Sequence, residues 1–117
     1  MKTIGMVGAR SRDEPHDIQL CVAKFFELYE KGDKIVSGGC RKGGDRFAEI
    51  IAEKYDIPIK LHYPEWDKHG KAAGFIRNTN IAEDADVIIA CVASDRKGGT
   101  EDTIKKAEKL NKRVEIV

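Results

Sequence analysis

Ile35-Val36-Ser37-Gly38-Gly39-Cys40-Arg41-Lys42-Gly43-Gly44-Asp45-Arg46-Phe47 decides the reading of this chain. A β-branched run stops abruptly, four glycines and three cations fill the next nine residues, and an apolar helical pattern begins at Phe47. A strand ending in a glycine-rich turn that feeds a helix is where α/β proteins place anions. Glycine lets backbone amides approach a phosphate, and a helix N-terminus adds about half a positive charge. The expectation is that this turn, together with similar turns beside it, walls one nucleotide-sized site.

The same strand–turn–helix unit recurs on both sides. Thr3 to Val7 is a short apolar run with the profile of a buried first strand, and Gly8-Ala9-Arg10-Ser11-Arg12 follows as a turn. Asp13 is placed to cap the next helix, and Pro15 suits its first positions. Ile18, Cys21, Val22, Phe25, Phe26 and Tyr29 then repeat at helical spacing until Gly32. Beyond the opening stretch, Phe47, Ile50, Ile51 and Lys54-Tyr55 mark a helical face, and Pro58 to His62 a third strand ended by Tyr63-Pro64. Glu65 to Gly70 has no regular pattern, and Ala72 to Glu83 has a helical one. Asp86 to Val92 is the most apolar run, as in a central strand covered on both faces. Ser94 to Gly99 is another glycine turn, Glu101 to Leu110 an amphipathic helix, and Arg113 to Val117 a closing strand.

Strands alternating with helices predict an α/β, three-layer, Rossmann-like domain spanning residues 1–117. Its five-stranded parallel sheet is expected in the order 3-2-1-4-5, with helices on both faces. Ligands of such sheets bind at the carboxyl ends of the strands, near the switch in strand order. The predicted order brings the turns after strands one, two and four together there.

Composition sets the outer limits. The chain has 117 residues and a formal net charge of +1, so no whole-chain field draws it to nucleic acid. Cys21, Cys40 and Cys91 are an odd, widely spaced set, which points to free thiols in a reducing cytoplasm. No apolar run is long enough for a membrane span, and no leader is visible. Within that neutral total the cations are unevenly placed: Arg10, Arg12, Arg41, Lys42, Arg46, Arg96 and Lys97 all lie in or beside turns after predicted strands. Arginine's planar fork suits phosphate, so a cationic sheet edge is expected.

Other readings fall short. The first turn lacks Gly-x-Gly-x-x-Gly, and no Gly-Lys-Ser/Thr follows Gly43-Gly44, so neither a dinucleotide fingerprint nor a Walker loop is present. His62, Asp67 and His69 match no metal-ligand spacing, and no cofactor is implied. No serine or cysteine has an evident relay, and Cys40 is either a thiol acidified by a helix N-terminus or a plain small residue. Asp45 either caps its helix or accepts from a ligand hydroxyl. Trp66 either stacks on a base or covers the sheet end.

Gly38-Gly39, Gly44-Asp45, Trp66-x-x-His69-Gly70-x-x-Ala73-Gly74-x-x-Arg77-Asn78, Ala85-Asp86 and Gly99-Thr100 together resemble the SLOG superfamily of Rossmann-like domains. The likeness is to its small single-domain branch of YspA/YpsA-related proteins and spans essentially the whole chain. The resemblance implies a pocket for nucleotides or nucleotide-derived, ADP-ribose-like ligands, held by a sensor, carrier or sequestering protein. Phosphates would fall to Arg10, Gly39, Arg77 and the Gly99-Thr100 helix start, and ribose hydroxyls to Asp45 or Glu101. Gly8, Ser11, Gly38, Trp66, Asn78 and Gly98 complete the expected ligand-binding set.

The related Lonely Guy phosphoribohydrolases carry an Arg-Lys pair and Pro-Gly-Gly-x-Gly-Thr-x-x-Glu. Arg77 matches their arginine, and Gly99-Thr100 their phosphate-receiving Gly-Thr. Asn78 replaces the lysine, Ser94 to Lys97 replace the Pro-Gly-Gly, and Thr103 stands at the glutamate position. The alternative is therefore a nucleotide N-glycosidase with Arg77 and Glu101 as catalytic residues and Asp102 as a second substitute. Relatives that pair through helices add a homodimer to the expectations. A distant relative that handles single-stranded DNA raises nucleic acid, against which the near-zero charge and the few aromatic residues weigh.

Overall fold

The computed structural model describes residues 1–117. Its strands are β1 (Thr3–Gly8), β2 (Lys34–Ser37), β3 (Ile59–Leu61), β4 (Val87–Cys91) and β5 (Arg113–Ile116). They form one sheet in the order β3-β2-β1-β4-β5, with every neighbouring pair parallel. The helices are α1 (Pro15–Leu28), α2 (Gly44–Tyr55), α3 (Trp66–His69), α4 (Ala73–Asp84) and α5 (Gly99–Lys109). The architecture is thus the Rossmann-like α/β fold read from the sequence. No helix is long and apolar enough to cross a membrane.

Alternation along the strands builds two cores. Ile4 and Met6 of β1 join Ile35, Val87, Ile89 and Cys91 under α1 and α2, where Cys21, Phe25, Phe47 and Ile51 are buried. The opposite faces of the same strands present Val7, Val36, Ile88 and Ala90 to Ile81 and Ala82 of α4 and Ile104 and Ala107 of α5. Burial on both faces explains why β4 reads as a continuous apolar run.

Several local expectations are corrected. Glu14, not Asp13, is the N-cap of α1, and its amide donates to Asp17 at 3.2 Å. Asp13 instead accepts from the Gly43 amide at 2.8 Å and so ties the first turn to the second. The segment after Glu65 is ordered as α3 and a 3-10 turn over Gly70–Ala72, because Gly70 at φ +57 lets the short helix end and restart.

Candidate functional site

The carboxyl ends of β1, β2 and β4 lie side by side, as the strand order requires. What surrounds them follows from how closely α2 is packed. A Cβ on Gly8 would come within 2.8 Å of the Gly44 amide nitrogen and 2.9 Å of the Cys91 Cβ. A Cβ on Gly44 would enter the Val7 backbone, and one on Gly43 the Ala9 carbonyl. The N-terminus of α2 is therefore pressed onto the end of β1. The N-terminus of α5 is open: nothing lies within 4 Å of a Cβ on Gly98, and a Cβ on Gly99 would meet only the Asn78 amide at 3.8 Å.

That difference creates a cavity of about 390 Å³ between the end of β1 and the start of α5. Its walls include Gly8, Arg10, Cys40, Asp45, Arg77, Asn78 and the run from Lys97 to Thr100, with Thr103 behind. A second space of about 390 Å³ opens beside it, walled by Gly38 to Lys42, Tyr63, Pro64 and Trp66. Arg10, Cys40 and Arg77 line both, so the two are adjacent chambers with two arginines at their junction. Each volume lies within the range of small-molecule sites, roughly 300–1,000 Å³.

Arg77 is held in place by the protein. Its Nη1 donates to the Gly38 carbonyl at 2.9 Å and its Nε to Asn78 Oδ1 at 2.9 Å. Two of about five donors are thereby used, and the rest of the fork is left for a ligand in either chamber. Asn78 Nδ2 donates to the Gly99 carbonyl at 3.3 Å and to Asp102 at 3.1 Å. Asn78 thus couples the arginine to the mouth of α5, where backbone amides and the helix dipole favour an anion.

Asp45 is the one carboxylate lining either chamber. It does not cap α2, whose N-cap is Gly43. It folds back toward the preceding turn and accepts from the Cys40 amide at 3.2 Å. Only 6% of the residue is exposed. Burial pushes its carboxyl above the usual range, opposed by the Cys40 amide, the Arg77 charge and the Ser37 hydroxyl beside it. Ser37 gives little, because its one proton donates to the Met6 carbonyl at 2.5 Å.

The structure brings together most of the expected residues. Gly8, Arg10, Asp45, Arg77, Asn78, Gly98, Gly99 and Thr100 line the first chamber, and Gly38, Gly39 and Trp66 the second. Trp66 is 59% exposed at the start of α3, so its ring faces the chamber and solvent. Ser11 is exposed and lines neither chamber.

Glu101 does not line them either: its carboxylate pairs with Arg96 at 2.8 Å. Asp102 is bound to Lys106 at 2.6 Å. Position 103 does face the first chamber, with a threonine whose hydroxyl donates to the Gly99 carbonyl at 3.2 Å.

The cationic edge is also smaller than the sequence suggests. Arg12 pairs with Asp17 and donates to the Val92 and Val117 carbonyls at 3.2 and 2.6 Å, so it braces the chain end. Tyr63, which no motif marks, joins the second chamber because its position directly after β3 puts it at the same sheet edge; its ring covers Gly39.

The Gene 61 protein of Mycobacterium phage D29 is 35% identical over 115 residues, covering 93% of this chain and 90% of that protein. No family model matches the chain. No solved structure matches it.

Proposed function

This chain belongs to the family of the Gene 61 protein of Mycobacterium phage D29, and we propose that it binds a nucleotide-derived, phosphate-bearing small molecule as a sensor, carrier or sequestering domain. One observation carries the reading: the Arg77 guanidinium is fixed at the junction of two chambers, one of which ends on the open N-terminus of α5. A phosphate there would take the α5 amides, Arg77 and Arg10, while the neighbouring chamber offers Tyr63 and Trp66 to a planar group. The resemblance to SLOG domains supports the same ligand class and is part of this proposal. A reducing, cytoplasmic setting fits the free state of all three cysteines. The homodimer is proposed on the resemblance alone.

Glycosidic hydrolysis through the start of α5 finds no support in the geometry. Glu101 and Asp102 are both engaged by cations, and neither lines a chamber. The binding reading is tested by thermal unfolding with AMP, ADP and ADP-ribose, in wild type and Arg77→Ala. At least one of these should raise the wild-type midpoint, and the variant should lose the shift. A shift unchanged by Arg77→Ala would place the phosphate elsewhere. Mass spectrometry of small molecules that co-purify with the chain would identify the natural ligand.

A further inference from the structure

The two carboxylates at the start of α5 are not equivalent. Glu101 pairs with Arg96 alone. Asp102 faces two ways: its Oδ2 accepts from Lys106 Nζ at 2.6 Å and from Asn78 Nδ2 at 3.1 Å. Asn78 is buried on α4, and its Oδ1 accepts from Arg77 Nε at 2.9 Å. An unbroken chain therefore runs from Lys106 through Asp102 and Asn78 to the guanidinium at the junction of the two chambers. Asp102 itself lines neither chamber.

A side-chain amide has an accepting end and a donating end, and a half-turn exchanges them. In Asn78 both neighbours dictate the sense. Arg77 Nε can only donate and needs Oδ1, whereas the Asp102 carboxylate and the Gly99 carbonyl can only accept and need Nδ2. The Gly99 bond is the longer, at 3.3 Å, and that carbonyl also receives the Thr103 hydroxyl at 3.2 Å. Asp102 is closer and charged, so it is the stronger acceptor. Lys106 also donates to the Phe75 carbonyl at 2.9 Å, which pins the far end of the chain to α4.

We propose that Asp102 is a positioning residue for Arg77: it fixes the sense of the Asn78 amide, which in turn aims the guanidinium at the chamber junction. The inference rests on the phosphate site proposed above and adds what keeps its arginine in place before a ligand arrives. The sign of the effect separates this role from that of a bystander charge. Asp102 is an anion in the first turn of the helix whose N-terminus faces the chamber, so by charge alone its removal would tighten anion binding. Loss of the aimed arginine would weaken it.

The test titrates AMP and inorganic phosphate into wild type, Asp102→Ala and Asp102→Asn at neutral pH. Alanine removes the acceptor, while asparagine keeps an oxygen for Asn78 Nδ2 and loses only the charge. Asp102→Ala should bind both probes roughly tenfold more weakly, the size of a lost hydrogen bond to a charged group. Asp102→Asn should bind them at least as tightly as wild type. Unchanged or tighter binding by Asp102→Ala would overturn the proposal, and so would equal weakening in both variants. The Arg77 Nε–H resonance gives a reading without ligand: its exchange with water should be slow in wild type and Asp102→Asn, and fast in Asp102→Ala. Equal protection in all three would overturn the proposal whether or not either probe binds. If neither probe binds wild type while that difference in protection is present, the phosphate site fails and the positioning of Arg77 by Asp102 stands.

Discussion

At Gly43-Gly44 an added Cβ would run into the backbone of Ala9 and Val7, whereas at Gly98-Gly99 it would meet open space or, at 3.8 Å, the Asn78 amide. The two turns look alike in sequence, and their backbones are alike too. The N-cap Gly43 has φ 75 and ψ −153, and the N-cap Gly98 has φ 101 and ψ −163. Both lie in a region that only glycine occupies at low cost. What differs is the packing of both glycines: a Cβ on Gly43 would meet the Ala9 carbonyl, whereas one on Gly98 meets nothing within 4 Å. Gly44 is small so that α2 can seat on β1, and Gly99 is small where the chamber begins. A glycine turn is thus evidence for a strand-to-helix link, and its packing decides whether the helix end is plugged or available.

The comparison can be broken most directly at Gly44. In Gly44→Ala the new methyl cannot be accommodated by a side-chain rotation, because the atoms in its way belong to the Val7 backbone. The register of α2 on β1 has to shift, and overpacking of this kind costs ~3 kcal/mol or more. Urea denaturation should show that loss. A cost under ~1 kcal/mol would mean that α2 is not held by this seat.

Asp45 is the part of the Gly43-Gly44 turn that packing does not explain, and its stability should show it. Because burial raises its pKa above 3.8, the folded state keeps the proton to a higher pH than the unfolded state does. The stability contributed by this group is therefore complete below the unfolded value and falls as pH rises through the raised folded value. At neutral pH Asp45→Asn should be more stable than wild type in the absence of ligand, and the difference should close toward acid pH. Thermal midpoints between pH 3 and 8 measure this. A variant less stable at neutral pH would make Asp45 a structural acceptor, and the Gly43-Gly44 turn would then be packing throughout.

The sheet was legible because period and composition act locally. The apolar run at β4, the β-branched stops and the glycine turns each report on their own neighbourhood, and parallel crossovers leave few ways to connect them. The candidate site was legible as a location, the carboxyl edge, since that follows from the fold. Residue roles were less legible, because they depend on partners distant in sequence. Glu101 and Arg96 cancel each other across five positions, and Arg12 reaches Val117 at the chain end. Asp13 has the sequence position of a cap, although its partner is Gly43, thirty residues away. Asp45 admits two roles in sequence because the direction of a side chain in a helix's first turn depends on the loop before it.

The finest distinction lies within the Gly98-Gly99 turn. Gly98 has space around it and still needs glycine, since its φ of +101 is the backbone's own constraint. Gly98→Ala should lower stability by about 1–3 kcal/mol through strain alone. Gly99 has no such constraint: its φ is not positive, and it is the first residue of α5. Gly99→Ala should leave stability within about 0.5 kcal/mol of wild type, because alanine suits a helix and the methyl meets nothing closer than 3.8 Å. That methyl would stand at the opening of the chamber, so binding of a phosphate-bearing probe such as AMP should weaken by about tenfold, the equivalent of one lost hydrogen bond. Paired denaturation and calorimetric titration separate the two effects. If Gly99→Ala lost stability as Gly44→Ala is expected to, both turns would be seats for helices and the open end of α5 would lose its special status.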